Sequence, residues 1–383
     1  MALTVRYFST TGAGAADGTT WADRAELFSS GNWSTVLTGF DFSANAMEAR
    51  VEGGLTYTCS QALASGLFTN APTAANPLIV HGCDSSGNRL TPSNPDWVSA
   101  QPVDWDSGLP VIATTTNIVT TSLANTVWLH CKFTASGRNG AIISAHAYME
   151  WCVGENSTAN TSAQGVSTSA NAYSTRCAWT CSGSSYASVV SGAAAMSQCR
   201  ISGVAGSSGN RRGVDANQAT TTLVECAILG VGGDGVIYSG SSTSQQVHAR
   251  NCVIANVGGT GFKSGSTASQ TAWYDLSGCI ITGCGAYGAD AQSAGRLVAA
   301  NNRLRDNTSG NFNGFGNYPT DLNTYTTDAA DSDDYVDASG GDYRIKNTAA
   351  IWGQGYGVAD EPAASGGSFP SQGLQGIETG VCA

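Results

Sequence analysis

Between residues 131 and 304 the chain runs through short stretches in which apolar and polar positions alternate, and the stretches recur at a long, nearly regular interval. Aligned on Cys131, Cys152, Cys177, Cys199, Cys226, Cys252 and Cys279, the gaps are 21, 25, 22, 27, 26 and 27 residues, and Asn302 follows 23 further on in the same local context. Segments such as ECAILGVGGDG, NCVIANVGGTG and GCIITGCGAYG share the outline Cys-x-Ile followed by a small glycine turn. Within each segment the period is two. Cys226 and Ile228 point one way with Ala227 between them, Cys252 with Ile254 and Cys279 with Ile281 repeat the arrangement, and Cys199 with Ile201 and Asn302 with Leu304 extend both columns. Alternation of this kind predicts a short strand with one buried face. Recurrence at this interval predicts a solenoid, one coil per repeat, each coil advancing about 4.8 Å along the axis. Like residues then stack on like, a cysteine ladder above an isoleucine ladder.

The pattern is less regular towards the ends. MEARVEGGLTYTC, NPLIVHGC, LPVIATTTNIVTTS and NTVWLHC read as earlier turns of the same stack, and residues 91–110 as a proline-rich excursion. ADRAELFSSG, residues 22–31, reads as a short helix capping the open end of the solenoid, as a terminal repeat must. After about residue 308 the sequence turns polar and irregular. The expected division is an N-terminal strand and capping segment over 1–45, coils over 46–308, and C-terminal loops and a cap over 309–383, in one continuous domain.

Composition supports a turn-rich β architecture. Charged residues make up 12% of the chain, against about 25% in ordinary domains, and there are 48 glycines. Surface helices need more Lys, Glu and Arg than this. The net charge of −11 and the single dense basic spot, Arg211-Arg212, argue against a nucleic-acid partner. No apolar run reaches 18 residues, so no membrane-spanning helix is expected. Met1-Ala-Leu-Thr-Val-Arg-Tyr lacks the basic and apolar regions of a cleavable secretion signal. Twelve cysteines without such a signal are expected to be reduced and to pack as small apolar side chains. Cys177/Cys181 and Cys279/Cys284 are the closest pairs; Cys177/Cys181 has no second pair at the spacing of a zinc site, and an occasional oxidised pair is the alternative.

The start, RYFSTTGAGAADGTTWADRAELF, the closing segment Asp337–Gly357 and the coils between them resemble the right-handed parallel β-helix superfamily. That superfamily contains pectate-lyase-like proteins and many phage tailspikes. The resemblance implies an all-β, single-stranded right-handed parallel β-helix solenoid with a short N-terminal capping helix and an irregular C-terminal cap. It does not imply one activity, because lyases, hydrolases, adhesins and inert structural proteins share the fold.

Catalysis on such a scaffold needs carboxylates and bases on one outer face of neighbouring coils. Register places Thr260 and Tyr287 beside Asp234, and Asn251 and Gly278 beside Glu225, so neither acid gains a carboxylate neighbour. The candidate site is His248 beside Asp275, each four residues before its ladder cysteine, with Arg250 close by. Asp331, Asp333 and Asp334 lie in an acidic run that is a weak calcium candidate, lacking the glycine and terminal glutamate of an EF-hand. Glycine clusters such as 230–235 recur at coil corners and open no helix, which reads as turn chemistry rather than a phosphate loop. His81, His130 and His146 read as scattered structural histidines, and no column of Trp or Tyr is evident for carbohydrate.

These readings favour a non-enzymatic virion surface protein, a bacteriophage capsid decoration protein, assembled in the host cytoplasm and contacting capsid or other virion proteins, with a homotrimer suggested by analogy. No cofactor, nucleic acid or membrane is expected. The alternatives are a phage tailspike or tail fibre component that binds a glycan or acts as a polysaccharide lyase or glycoside hydrolase, and a bacterial surface adhesin.

Overall fold

The computed structural model describes residues 2–313 apart from 92–107, 115–122 and short stretches at 137–138, 144–146, 158, 160, 169–171, 193–194, 205–209, 218–219, 241–245, 265–272 and 292–295. For 139–143, 273 and 296, and beyond 313 for 321–322, 335–337 and 342–345, the backbone alone is described. Among these residues the strands form three long parallel stacks, here called walls. The first has thirteen strands, the second ten and the third eight. One coil runs Thr126–Leu129 in the first wall, Lys132–Ala135 in the second and Asn139–Ile143 in the third, then returns to the first at Tyr148–Glu150. Each strand pairs in register with its counterparts in the neighbouring coils.

Alternation sets which side chains enter the core. In Thr126–Leu129 and Lys132–Ala135 every second residue is buried. Trp128, Phe133, Met149, Ile201, Leu223, Ile228 and Ile254 fill the lumen. Trp179 is fully buried and lies directly over Gly154 of the preceding coil, where a β-carbon would collide with its ring. The second wall departs from alternation in its later coils. Ala227–Leu229, Val253–Ala255, Ile280–Thr282 and Arg303–Arg305 are buried on both faces, not on one as the period-two reading expects. Three of these sequences, AIL, VIA and IIT, are apolar or nearly so at both parities, the signature of a strand covered on two sides, while the fourth, RLR, covers two arginines.

The corner between the first and second walls explains the cysteines. His130, Trp151, Arg176, Gln198, Glu225, Asn251, Gly278 and Asn301 all have φ between 51° and 62°. This left-handed residue turns the chain sharply and directs the next side chain inward. That next residue is the ladder: Cys131, Cys152, Cys177, Cys199, Cys226, Cys252, Cys279 and Asn302, every one buried. Register confirms the column, since Lys132 pairs with Val153, Ala178 with Arg200, Ala227 with Val253, and Ile280 with Arg303. Ile201, Ile228, Ile254, Ile281 and Leu304 form the second column.

The thiols also act as weak donors. The Cys252 thiol donates to the carbonyls of Arg250 (3.3 Å) and of Leu223 in the preceding coil (3.6 Å). Cys226 reaches Val224 and Met196, and Cys279 reaches Ser277 and Ala249, in the same way. At the end of the column Asn302 does this with an amide. Its Nδ2 donates to the Leu276 carbonyl at 2.8 Å and its Oδ1 accepts the Cys279 N–H at 2.9 Å. The eleven described cysteines are all free and buried.

The N-terminal end corrects one expectation. Residues 22–31 do not form a helix. Ala25–Glu26 is a strand pairing parallel with Ala2–Ser9, and Phe28–Ser29 pairs antiparallel with Asn32–Trp33. Ser30 and Gly31, with φ of 52° and 80°, make a two-residue turn with both central residues left-handed, which fits a hairpin and breaks a helix. The sole α-helical element here is one turn, Thr35–Thr38, whose N-terminal N–H of Val36 donates to the Ser34 hydroxyl.

Candidate functional site

The outward face of the first wall carries the chemistry. His248 pairs in register with Asp275, as their common offset from the ladder implies. His248 Nδ1 lies 3.5 Å from Asp275 Oδ2, and Arg250 Nε and Nη2 donate to the same oxygen at 3.1 and 3.0 Å. His248 Nε2 is 3.0 Å from Gln246 Oε1. Partial burial alone would push the Asp275 carboxyl up, but His248 and Arg250 outweigh it and hold the group below its ordinary range. A carboxylate so held is ionised and committed to two neighbours, which suits orientation of a ligand better than proton donation.

A second cluster at the other end of the same wall is absent from the sequence reading. Glu48, fully buried, receives Arg89 through Nε at 2.8 Å and Nη2 at 2.7 Å, and Arg50 Nε at 3.0 Å. His81 Nδ1 is 3.7 Å from Glu48, and His81 Nε2 is 3.2 Å from His130 Nδ1, with the two rings stacked 5.2 Å apart. His81 and His130, read from sequence as scattered, therefore meet. Burial pushes the Glu48 carboxyl up, yet the two guanidiniums bring it below its ordinary range. Burial, aided by the neighbouring His81, pushes His130 down to about 4, and burial lowers His81 as well. Both rings are thus neutral at pH 7 beside an ionised carboxylate. Arg50 Nη1 also donates to the Gly87 carbonyl at 3.0 Å, so the group clasps the loop ending at Arg89 onto the wall. This arrangement locks structure.

Other wall acids are also matched with cations. Asp234 meets Lys263 (3.5 Å), Asp215 meets Arg212 (2.6 Å), Glu150 meets Arg176 (3.3 Å) and Glu155 meets Lys132 (3.8 Å). Thr260 does neighbour Asp234, donating its N–H to Oδ1 at 2.8 Å. Gly230 takes φ 63° at a coil corner and opens no helix, in keeping with turn chemistry. Among the described residues no group of three or more His, Cys, Asp or Glu is placed to hold a metal ion. Asp331, Asp333, Asp334 and His146 lie outside the described residues. No described helix is long and apolar enough to cross a membrane. On the outer face Tyr148 and Tyr173 are neighbours in register, a pair that the sequence reading did not single out.

Comparison with known proteins supports a right hand for the coil. Residues 212–359 match the family model described as a right handed beta helix region. The chain is a right-handed parallel β-helix. Among solved structures, pectate lyase Pel9A is similar to this β-helix with a TM-score of 0.48 and 11% sequence identity, over 96% of this chain and 94% of that one. A likeness at that level assigns no activity to the β-helix. No curated protein matches the sequence.

Proposed function

We propose that this β-helix is a non-catalytic structural component of a virus particle surface, a rigid body whose walls and ends serve for contact. The observation that carries this reading is the column of reduced, stacked thiols. A coil built on free cysteines folds without disulfide competition in a reducing compartment, and then hides them from later oxidation. Burial lifts Cys181 and Cys284 to about 12, which keeps both thiols protonated and inert. The pairing of wall carboxylates with cations supports the same reading, since these groups are committed to structure.

The test is the copy number of the protein in purified particles of its source, by quantitative mass spectrometry. Hundreds of copies per particle are expected of a capsid decoration protein. A handful would move the protein to a tailspike or fibre, and absence would sink the reading. A thiol titration checks the observation beneath it. Of the twelve cysteines, the eleven described ones should react with an aromatic disulfide reagent only after denaturation. A second reading, a tailspike-like protein that engages a glycan, is favoured by the polar groups around His248 and Asp275.

A further inference from the structure

Packing alone would accept alanine or valine at the inward position after each left-handed corner. Sulfur stands there instead in seven successive coils, at Cys131, Cys152, Cys177, Cys199, Cys226, Cys252 and Cys279, all buried. The residues that follow these cysteines pair in register from coil to coil. Neighbouring sulfurs are therefore no further apart than about one strand spacing, ~4.8 Å. From Cys152 to Cys279 each thiol is hydrogen-bonded to the thiol of the adjoining coil. The column ends at Asn302, whose amide takes the Cys279 N–H and the Leu276 carbonyl and offers no sulfur.

We propose that this column binds soft, monovalent cations of linear two-coordinate chemistry, Cu(I) and Ag(I), each held between the sulfurs of two adjacent coils. Distance argues for it. A metal–sulfur bond is about 2.3 Å long, so two in line span about 4.6 Å, close to the step of the stack. Thiolate sulfur selects this class of ion. A linear ion needs two donors, not the three or more that are missing elsewhere among the described residues. Charge sets the form of the complex. One cation enters, one thiol gives up its proton to solvent, and the second thiol binds with its proton kept, so that the thiolate–metal–thiol unit is neutral in an apolar lumen. Two thiolates on one such ion would leave a bare negative charge there. Burial holds the thiols protonated, and coordination removes the one proton outright. A sulfur shared by two ions needs a bent bridge, which a straight column does not supply. Each thiol thus serves one ion, and seven thiols taken in neighbouring twos hold at most three. The ions are far smaller than a thiol reagent and enter as coils open locally, so uptake is slow. The proposal stands apart from the virion reading and holds or fails without it.

The test uses the full chain, reduced, freed of reductant and kept under nitrogen in chloride-free buffer. Silver nitrate is added in excess, the protein is desalted, native mass spectrometry counts the ions retained, and a pH indicator follows proton release. The five cysteines outside the column give every variant the same background. Above that background the folded chain should retain three ions, release one proton for each, and melt at a higher temperature. Adjacency, not thiol number, should govern the count. Cys199→Ala splits the column into two runs of three and should lower the count to two, whereas Cys226→Ala leaves runs of four and two and should keep three. Replacing Cys152, Cys199 and Cys252 together by alanine leaves no adjacent thiols and should retain background only. Replacing Cys131, Cys152 and Cys177 removes as many thiols and should still retain two ions. The single variants carry the test if a triple variant does not fold. The proposal is overturned if the folded chain retains no silver above the alternating triple variant, if silver enters only after denaturation, if no proton is released, or if Cys199→Ala and Cys226→Ala lose ions equally.

Discussion

Glu48 and Asp275 stand in the same outward column of the first wall, at its two ends, with Arg50 and Arg250 in the neighbouring column. Each carboxylate also has a histidine beside it, His81 in one case and His248 in the other. The side-chain sets are nearly the same, yet the outcomes differ. At the N-terminal end the loop from Asp84 to Arg89 folds over the wall and adds a second, bidentate guanidinium, so that Glu48 is fully buried. At the other end the Asp275 side chain keeps 25% of its surface exposed, and Arg250 stays largely in solvent. Water reaches the Asp275 carboxylate and not the Glu48 one, although Arg89 and Arg250 are about equally exposed, so the two pairs differ in the burial of the acid and not of the base.

The sharpest way to break this comparison is Glu48→Gln. It keeps shape and removes the charge, leaving the half-exposed Arg89 and the largely covered Arg50 without the ionised acceptor they share. Water hydrates the half-exposed Arg89 once Glu48 is neutral, so the cost is set below that of a fully buried pair, at about 1–3 kcal/mol. Chemical denaturation should show a loss of that order, and limited proteolysis should cut first in the loop that Arg89 anchors. A change below about 1 kcal/mol would show that Glu48 behaves like a surface carboxylate and that burial does not distinguish the two ends.

The next effect in size is the pH dependence of the same cluster. His130 titrates near pH 4 in the folded chain and near 6.5 when unfolded, so the unfolded chain binds the extra proton first. Stability is therefore complete above about pH 6.5 and falls as the pH drops towards 4. His81, also lowered, adds to the loss, as does Glu48 once the pH falls below the usual carboxylate range. Arg50 and Arg89 stay charged throughout and oppose protonation of His81. Melting temperature against pH should slope downward over this window. His130→Gln should flatten the slope, because Gln198 already occupies the equivalent left-handed corner at φ 53°. An unchanged slope in that variant would place the sensitivity elsewhere.

The contrast between the two ends also governs what the sequence can disclose. His248 and Asp275 each precede a ladder cysteine by four residues, so their adjacency follows from the repeat alone. Glu48 and Arg89 are 41 residues apart, in coils interrupted by long excursions of different lengths, and no period links them. The coils from Cys131 to Leu304 are legible for the same reason as the first pair. Their inward columns recur after the same left-handed corner, whatever the loop length between corners. Tyr148 and Tyr173 escape a reading based on the cysteines, although they precede Cys152 and Cys177 by the same four residues as His248 and Asp275 do theirs. The Ser30-Gly31 turn was visible in principle, but helix-favouring residues at 22–27 masked it. Local propensity there yields to the pairing of Ala25–Glu26 with Ala2–Ser9.

The smallest expected effect is the most pointed check on the comparison. Asp275→Asn and Arg250→Ala should each cost no more than about 1 kcal/mol, and the double variant should reveal a coupling of about 0.2–1 kcal/mol between them, as for exposed ion pairs. The coupling should shrink further at high salt, because the pair is open to counter-ions. The corresponding cycle for Glu48 and Arg89 should give a larger coupling that salt alters less, because the carboxylate is buried while Arg89 is half exposed. Were the two cycles to agree in size and salt response, the clasping loop would be irrelevant to the strength of the pair. Unequal couplings in the stated order would mean that the difference between the locked and the open pair lies in the cover, and that any loop variant exposing Glu48 should turn the first site into a copy of the second.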